Sequence, residues 1–248
     1  MSVRHGGHYS LQSPTPGCVA DVNAFAIRCV GQPARAEARL LPPLPATMST
    51  VQHLHQPHPA PLRDPAPMLE RAMAQWGGRR DLWVFAYASL IWRPDFDVAE
   101  QHLARVHGWH RALKMWSRVN RGTVDCPGLV FALLSGGSCH GAVLRVPRQQ
   151  AESVLHQLWA REMVTGVYDP KWLPCQTATG AVQALAFTLS RKSPNFTGEL
   201  SANRYREIFA ESCGRYGTTL DYADQTLRCL SQHGIHDAAL QKLLSHAS

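Results

Sequence analysis

The sequence lacks the signatures of several common enzyme classes. Its 248 residues contain no G-x-G-x-x-G and no P-loop, so no nucleotide or other cofactor is expected. Ser89 lacks the glycine-flanked nucleophile elbow of serine hydrolases, which argues against a Ser-His-Asp triad. The seven cysteines are odd in number and include no C-x-x-C pair. This pattern predicts reduced thiols rather than a disulfide framework.

Long apolar runs and blocks of like charge are missing as well. No segment approaches the roughly 20 apolar residues that span a bilayer, so no membrane partner is expected. Residues 18–30 come nearest to a signal core, but Asp21, Asn23 and Arg28 interrupt them, which favours a cytoplasmic protein. The net charge of +7 comes from scattered basic residues, and the longest cluster is Arg79-Arg80. Binding to nucleic acid is therefore the weakest alternative.

Proline usage divides the chain near residue 67. Of the 17 prolines, 11 fall in the first 67 residues, and this stretch has no sustained period of 3.6 or 2. We therefore predict a disordered, Pro/His-rich segment at residues 1–67 and one folded domain at residues 68–248.

The front segment leaves some alternatives open. His53, His55 and His58 lack carboxylate or thiol neighbours, so low-complexity sequence is favoured over a metal site, and no metal is expected. Because the segment carries few acids, a transit peptide is one alternative. Translation that begins at Met48 or Met68 is another hypothesis.

After residue 67 the pattern becomes regular. Gly108 predicts a bend within a strand, and Ser135-Gly136-Gly137 predicts a hairpin turn. Gly214 and Gly234 occupy positions typical of helix C-caps. The predicted elements are a helix at 68–76, strands at 82–86, 106–116, 129–134 and 141–146, a helix that opens after Pro147, strands at 172–177 and 182–189, and two or three closing helices. Hairpin-connected strands followed by helices predict an antiparallel α+β fold.

Glu162 interrupts the apolar stripe of the helix that opens after Pro147. Counting back by four, three and four residues places Leu158, Leu155 and Ala151 on its face. Burial raises the pKa of a carboxyl toward neutrality, where an acid/base group is most useful. Glu162 is therefore a candidate catalytic residue. The alternative is a structural glutamate bonded to Arg161 or to a backbone amide.

The strand at 82–86 ends abruptly at Tyr87-Ala88-Ser89-Leu90. The backbone N–H groups at such a strand end favour a shallow anion-binding cradle. This tetrapeptide resembles the Tyr-Gly-Ser-Leu loop of the γ-glutamylcyclotransferases, and Arg161-Glu162 resembles their catalytic Arg-Glu pair. The sequence is most similar to the ChaC proteins, which act on glutathione and release 5-oxoproline.

Further segments extend the resemblance over roughly residues 68–240, in the family's order. They are Trp116-Ser117, Arg121-Gly122-Thr123, Pro127-Gly128-Leu129-Val130, Gly136-Gly137-Ser138-Cys139, Gly141, Glu162 to Tyr168, Gly217 and Asp221-Tyr222. Three positions depart from the family. Ala88 replaces a glycine, at a cost of about 1 kcal/mol if its φ is positive. Val124 replaces a proline and Thr219 an asparagine, and both changes are expected to loosen nearby loops.

The resemblance implies a small, mostly antiparallel β-barrel with flanking helices, the γ-glutamylcyclotransferase-like fold. It also implies cyclisation of the γ-glutamyl group of glutathione to 5-oxoproline, with release of Cys-Gly. Glu162 is then the catalytic base, and the substrate-binding residues are Tyr87, Ala88, Ser89, Leu90 and Tyr168. For Tyr87 and Tyr168 the alternative is an aromatic core residue with its hydroxyl at the edge. Arg161 either steers the carboxylates of glutathione or solvates the helix end, and the second is expected. The alternative is a non-catalytic protein of the same fold that binds glutathione or another glutamyl compound.

Overall fold

The structure, a computed structural model, describes residues 63–247. Most of the predicted disordered segment, with Met48 and the three clustered histidines at 53, 55 and 58, lies outside the described residues.

Five strands form a closed barrel. They are β1 (Leu82–Ala86), β2 (Glu100–Ser117), β3 (Gly128–Val146), β4 (Asp169–Thr177) and β5 (Gly180–Thr188). The order around the barrel is β1-β3-β2-β4-β5, with antiparallel neighbours, and a parallel pairing of Val84 with Leu185 closes it. Closure leaves no long unpaired edge. The predicted α+β fold with a mostly antiparallel barrel is confirmed.

The hairpin predicted at Ser135-Gly136-Gly137 is wrong. The chain continues through these residues as β3, which pairs with β2 from Ser117–Gly128 to Glu100–Arg145. Gly136 and Gly137 have φ values of 98° and 71°, and the register shifts there, opposite Gly108. Two left-handed glycines serve a β-bulge as well as a reversal, and the apolar pattern on both sides lets one long strand continue. Gly108 does mark the expected irregularity.

The helices cover the barrel and its ends. They are α1 (Ala66–Trp76), α2 (Arg148–Glu162), α3 (Ala202–Glu211), α4 (Thr219–Gln232) and α5 (Ala238–Leu244), with 3₁₀ turns at Ser89–Ile91 and Ser245–Ala247. A short ribbon of β6 (Cys213–Gly214) and β7 (Gly217–Thr218) separates α3 from α4. The C-cap predicted at Gly214 is therefore wrong, because Gly214 pairs in this ribbon. Gly234, with φ 70°, does follow the end of α4.

The predicted domain boundary at residue 67 falls inside α1. The chain contacts the domain earlier, since the Arg63 guanidinium donates to the carbonyl oxygens of Gly166 at 2.9 Å and of Tyr168 at 2.9 Å. In addition, the Trp159 indole donates to the Pro65 carbonyl at 2.9 Å. The folded unit thus includes residues before 68.

Helix α2 packs its apolar face against the barrel and ends at Glu162. Ala151, Leu155 and Leu158 are buried, as the spacing predicts. Trp159 meets Phe187 of β5 edge-on, with ring centroids 5.6 Å apart. This packing anchors the last turn of α2 against the barrel.

The described residues contain neither a cluster of metal ligands nor a membrane-spanning helix, and two of their thiols are unreactive. Within residues 63–247 no three His, Cys, Asp or Glu side chains are grouped to hold a metal, and no helix is long and apolar enough to cross a bilayer. Burial raises the pKa of Cys139 and raises that of Cys175 to about 12. Both thiols therefore stay protonated and are poor nucleophiles.

Candidate functional site

A cleft of about 680 Å³ opens where the 3₁₀ turn after β1 faces the C-terminal end of α2. Its lining includes Ser89, Asp95, Arg121, Glu162, Tyr168 and Tyr222. They come from distant parts of the sequence, so the barrel must close before the site exists.

The turn after β1 forms one wall. Ala88 has φ −145°, outside the left-handed region, so the condition for a cost of alanine at this position is not met. The turn is held by hydrogen bonds from Ile91 N to Ala88 O at 2.9 Å and from Arg93 N to Ser89 O at 2.8 Å. The first N–H groups of a helical turn have no acceptor within the turn, so those around Ser89 and Leu90 suit an anion.

Glu162 forms the facing wall as the last residue of α2. Its side chain is only 17% exposed, and an oxygen lies 3.0 Å from Nε of Arg161. Desolvation raises the pKa of Glu162, and the charge and hydrogen bond of Arg161 offset part of that rise. The net shift is upward. Glu162 thus makes the contact of the structural alternative and still has the raised pKa of a general base.

Arg161 does not solvate the helix end, and that expectation is wrong. Its side chain is 18% exposed and donates to Ser89 Oγ at 3.0 Å and to Asp95 Oδ2 at 2.6 Å. It also donates to the Arg93 carbonyl. The guanidinium spreads its five N–H donors over several partners, so Arg161 joins the turn after β1 to Glu162.

Three buried tyrosines lie near Glu162. Tyr87 donates to Phe187 O at 2.9 Å and Tyr168 to Phe131 O at 3.3 Å, while Tyr222 accepts from Phe131 N at 3.4 Å. Desolvation, with a smaller contribution from the nearby Glu162, raises the pKa of all three phenols. They therefore stay protonated at neutral pH.

The structure separates the residues predicted to bind substrate. Ser89 and Tyr168 line the cleft together with Glu162. Tyr87, Ala88 and Leu90 are buried, and they are not among the residues that line the cleft in the described part of the chain. The side chain of Tyr87 lies in the core because its hydroxyl finds a partner on β5.

Sequence reasoning missed Asp95, Arg121 and Tyr222 as site residues. Arg121 is 9% exposed, and its guanidinium carbon lies 4.8 Å from the centroid of the Tyr222 ring. Arg121 and Tyr222 lie in segments that resemble the family, and this resemblance could have identified them as site residues. Asp95 carried no signal, because it becomes a site residue only through its contact with Arg161.

Thr219 does not loosen the loops around it, contrary to expectation. Its buried hydroxyl accepts from Leu129 N at 2.9 Å and lies 2.7 Å from Ser212 Oγ. A Cβ on Gly128 would collide with the Arg121 carbonyl and the Thr219 hydroxyl. Threonine thus keeps the start of β3 tightly joined to α4. Val124 is exposed.

Known proteins share the sequence pattern of this site. A family model described as ChaC-like protein matches residues 82–248. The chain belongs to the ChaC-like protein family. The resemblance read from the sequence is confirmed, and the match contains both the turn after β1 and Glu162.

Relatives of this ChaC-like chain are enzymes named for glutathione. It is 33% identical over 164 residues to the glutathione-specific gamma-glutamylcyclotransferase of Escherichia coli, a match that covers 66% of this chain and 71% of that protein. It is 33% identical over 150 residues to glutathione-specific gamma-glutamylcyclotransferase 1 of the mouse, covering 58% of this chain and 66% of that protein.

A solved structure supports the fold. The crystal structure of a yeast γ-glutamylcyclotransferase specific to glutathione superposes with a TM-score of 0.63 at 20% identity. The superposition covers 68% of this chain and 96% of that one. The ChaC-like chain therefore has the γ-glutamylcyclotransferase fold, while Arg63 and α1 precede the family match.

Proposed function

We propose that this ChaC-like chain is a glutathione-specific γ-glutamylcyclotransferase, a lyase that releases 5-oxoproline and Cys-Gly. The observation that carries the proposal is Glu162, a carboxyl of raised pKa in a cleft, connected through Arg161 to the turn after β1. The names of the 33% identical relatives support the choice of substrate.

The reaction needs one base and a fixed geometry. The α-amine of the γ-glutamyl group attacks its own γ-carbonyl carbon, a five-membered ring closes, and the bond to the cysteinyl nitrogen breaks. The amine is mostly protonated at neutral pH and cannot attack until a base takes a proton. Glu162 takes that proton and returns it to the departing nitrogen. The attacking nitrogen loses a second proton as the lactam forms, and this proton ends on the released amine of Cys-Gly, so the reaction consumes neither water nor cofactor.

The turn after β1 supplies the binding contribution. The backbone N–H groups around Ala88, Ser89 and Leu90 hold the glutamyl carboxylate or the developing oxyanion. Tyr168 forms a wall of the cleft, and Tyr87 supports it from the core. Holding the amine of the cleft-bound substrate against its γ-carbonyl carbon lowers the activation free energy of ring closure by several kcal/mol, as for other intramolecular reactions.

A panel assay tests the proposal. The protein is incubated with glutathione, other γ-glutamyl peptides and γ-glutamyl amines, and 5-oxoproline is measured by mass spectrometry. Catalytic release of 5-oxoproline from glutathione supports the proposed enzyme. Saturable binding of glutathione without 5-oxoproline supports the non-catalytic alternative instead.

Cys126, Cys139, Cys175, Cys213 and Cys229, the cysteines of residues 63–247, are free thiols. They also favour a cytoplasmic enzyme that acts on a small molecule and needs neither nucleic acid nor membrane. Fractionation of cells that express the tagged full chain checks this location. Enrichment in the membrane pellet contradicts it.

A further inference from the structure

The cleft contains more guanidinium groups than its own carboxylates can pair. Its two carboxylates are Asp95 and Glu162, and Arg161 contacts them at 2.6 and 3.0 Å. Arg118, Arg121 and Arg215 line the same cleft, but within residues 63–247 none of them forms an ion pair with a carboxylate. The cleft is therefore suited to an anionic ligand.

Arg121 is the most deeply placed of these three arginines. It is 9% exposed, stacks over the Tyr222 ring, and donates one side-chain hydrogen bond, to the Tyr216 carbonyl. Because a guanidinium has five N–H donors, most of its capacity is left for other partners. Desolvation lowers the pKa of Arg121, and the charge of the nearby Asp221 carboxylate offsets only part of that fall. A bound carboxylate would therefore offset the remaining cost of burying this cation.

Arg121 and Glu162 both lie near the same buried tyrosines. Tyr222 and Tyr168 meet at the two backbone polar groups of Phe131, and Glu162 lies close enough to raise the pKa of both phenols. Arg121 stacks on the ring of Tyr222, with its guanidinium carbon 4.8 Å from the ring centroid. In glutathione, two residues follow the scissile bond, and they reach about 7 Å when extended.

We propose that Arg121 binds the C-terminal carboxylate of the leaving dipeptide, and that Arg118 and Arg215 add to the positive potential there. This subsite selects γ-glutamyl peptides that end in a carboxylate over neutral γ-glutamyl amides. The inference rests on the proposed cyclotransferase activity and deepens it, because it assigns residues to recognition of the leaving group.

The test compares glutathione with its C-terminal amide, in which the glycyl carboxylate is a neutral carboxamide. Values of kcat and KM for 5-oxoproline release are measured for the wild type, Arg121→Gln, Arg121→Lys and Arg204→Gln. Arg204 is the matched control, because it lies on α3, pairs with Glu207 at 2.8 Å and carries the same charge. Circular dichroism and thermal unfolding show whether each variant folds.

The wild type should prefer glutathione over the amide about 10- to 100-fold in kcat/KM, the size expected for charged hydrogen bonds. Arg121→Gln should lose this preference through a higher KM for glutathione and leave the amide unchanged. Arg121→Lys should recover part of the preference because it keeps the charge. Arg204→Gln should match the wild type on both compounds.

Two further measurements test the proposal even if Arg121→Gln does not fold. The wild-type preference should shrink as salt is raised, and Arg118→Gln should reduce it several-fold, because both weaken the potential at the subsite. A preference that neither salt nor Arg118→Gln alters overturns the proposal.

Other outcomes separate the subsite from the reaction. Equal turnover of acid and amide by the wild type overturns the subsite and leaves the cyclotransferase intact. Equal losses on both compounds in Arg121→Gln place Arg121 at the glutamyl end and also overturn it. If no γ-glutamyl compound yields 5-oxoproline, the proposed function fails and the subsite fails with it.

Discussion

At the residue scale, two opposing effects set the pKa of Glu162. Desolvation raises it above the ordinary 4.5, and the adjacent Arg161 pulls it back. Because the base must be ionised to take a proton, the acid limb of the rate profile reports this balance. Partial compensation keeps Glu162 available as a base near neutral pH although its side chain is only 17% exposed.

The first prediction concerns the acid limb of kcat. In the wild type its midpoint should lie above pH 4.5, the ordinary value for a glutamate. Arg161→Gln removes the charge and hydrogen bond that lower the pKa of Glu162, so the midpoint should move to higher pH. Rate profiles with glutathione measure both midpoints, and Arg71→Gln, an exposed change on α1, is the control. A limb that stays in place or moves to lower pH in Arg161→Gln contradicts this explanation.

The second prediction concerns Ala88. Its φ of −145° is open to alanine, so glycine relieves no left-handed strain at this position. We expect Ala88→Gly to keep its activity and to lose about 0.4–1 kcal/mol of stability, because glycine gives the unfolded chain more freedom. Initial rates and denaturant unfolding measure the two effects. A sharp fall in activity would show that the methyl group itself shapes the site.

At the element scale, Arg63 holds the turn between α2 and β4. Its guanidinium contacts the carbonyl oxygens of residues 166–168 at 2.9 to 3.0 Å and the Asp169 carboxylate at 2.7 Å. This turn lies between Glu162 and Tyr168, two residues that line the cleft. The segment before the family match therefore supports the geometry of the site.

The third prediction tests this close approach with two glycines of similar conformation. Gly166 and Gly198 have φ values of 61° and 68°. A Cβ on Gly166 would collide with the Arg63 carbonyl, whereas a Cβ on Gly198 meets nothing within 4 Å. Both alanine variants should lose about 1–2 kcal/mol from the left-handed φ, and Gly166→Ala should lose more and also lose activity. Equal stability and activity in the two variants contradict the role assigned to the Arg63 contact.

At the scale of the whole molecule, the position at which the chain starts should matter. A chain that starts at Arg63 keeps the hydrogen bonds of Arg63 and the bond from Trp159 to the Pro65 carbonyl, and a chain that starts at Met68 lacks them. As the fourth prediction, the Met68 chain should unfold at lower temperature and turn over glutathione more slowly. Calorimetry and initial rates compare both with the full chain. Indistinguishable behaviour of the two shortened chains would remove Arg63 from the account.

The sequence predicted those features that depend on local pattern. Pro147 and the apolar spacing that leads to Glu162 marked α2, because a helix repeats every 3.6 residues. The hairpin predicted at Gly136 and Gly137 was wrong because two left-handed glycines occur both in hairpin turns and in β-bulges. Only the pairing of β2 with β3 distinguishes the two structures. The partners of Arg161 at Ser89 and Asp95 lie 72 and 66 residues away, so no local pattern reveals them.

The most direct test of the account is release of 5-oxoproline and Cys-Gly from glutathione by the wild type and by Glu162→Gln. Glu152→Gln is the matched control, an exposed glutamate on the same helix. Because the pKa of Glu162 is raised in the folded state, this residue stabilises the fold fully below pH 4.5, and the stabilisation is lost as the pH rises through the folded-state pKa. Replacing Glu162 by glutamine therefore removes little stabilisation at pH 7, and Glu162→Gln should remain folded there.

We predict equimolar products from the wild type and from Glu152→Gln, and a turnover about 100- to 10,000-fold lower in a folded Glu162→Gln. Wild-type turnover in a folded Glu162→Gln contradicts the account.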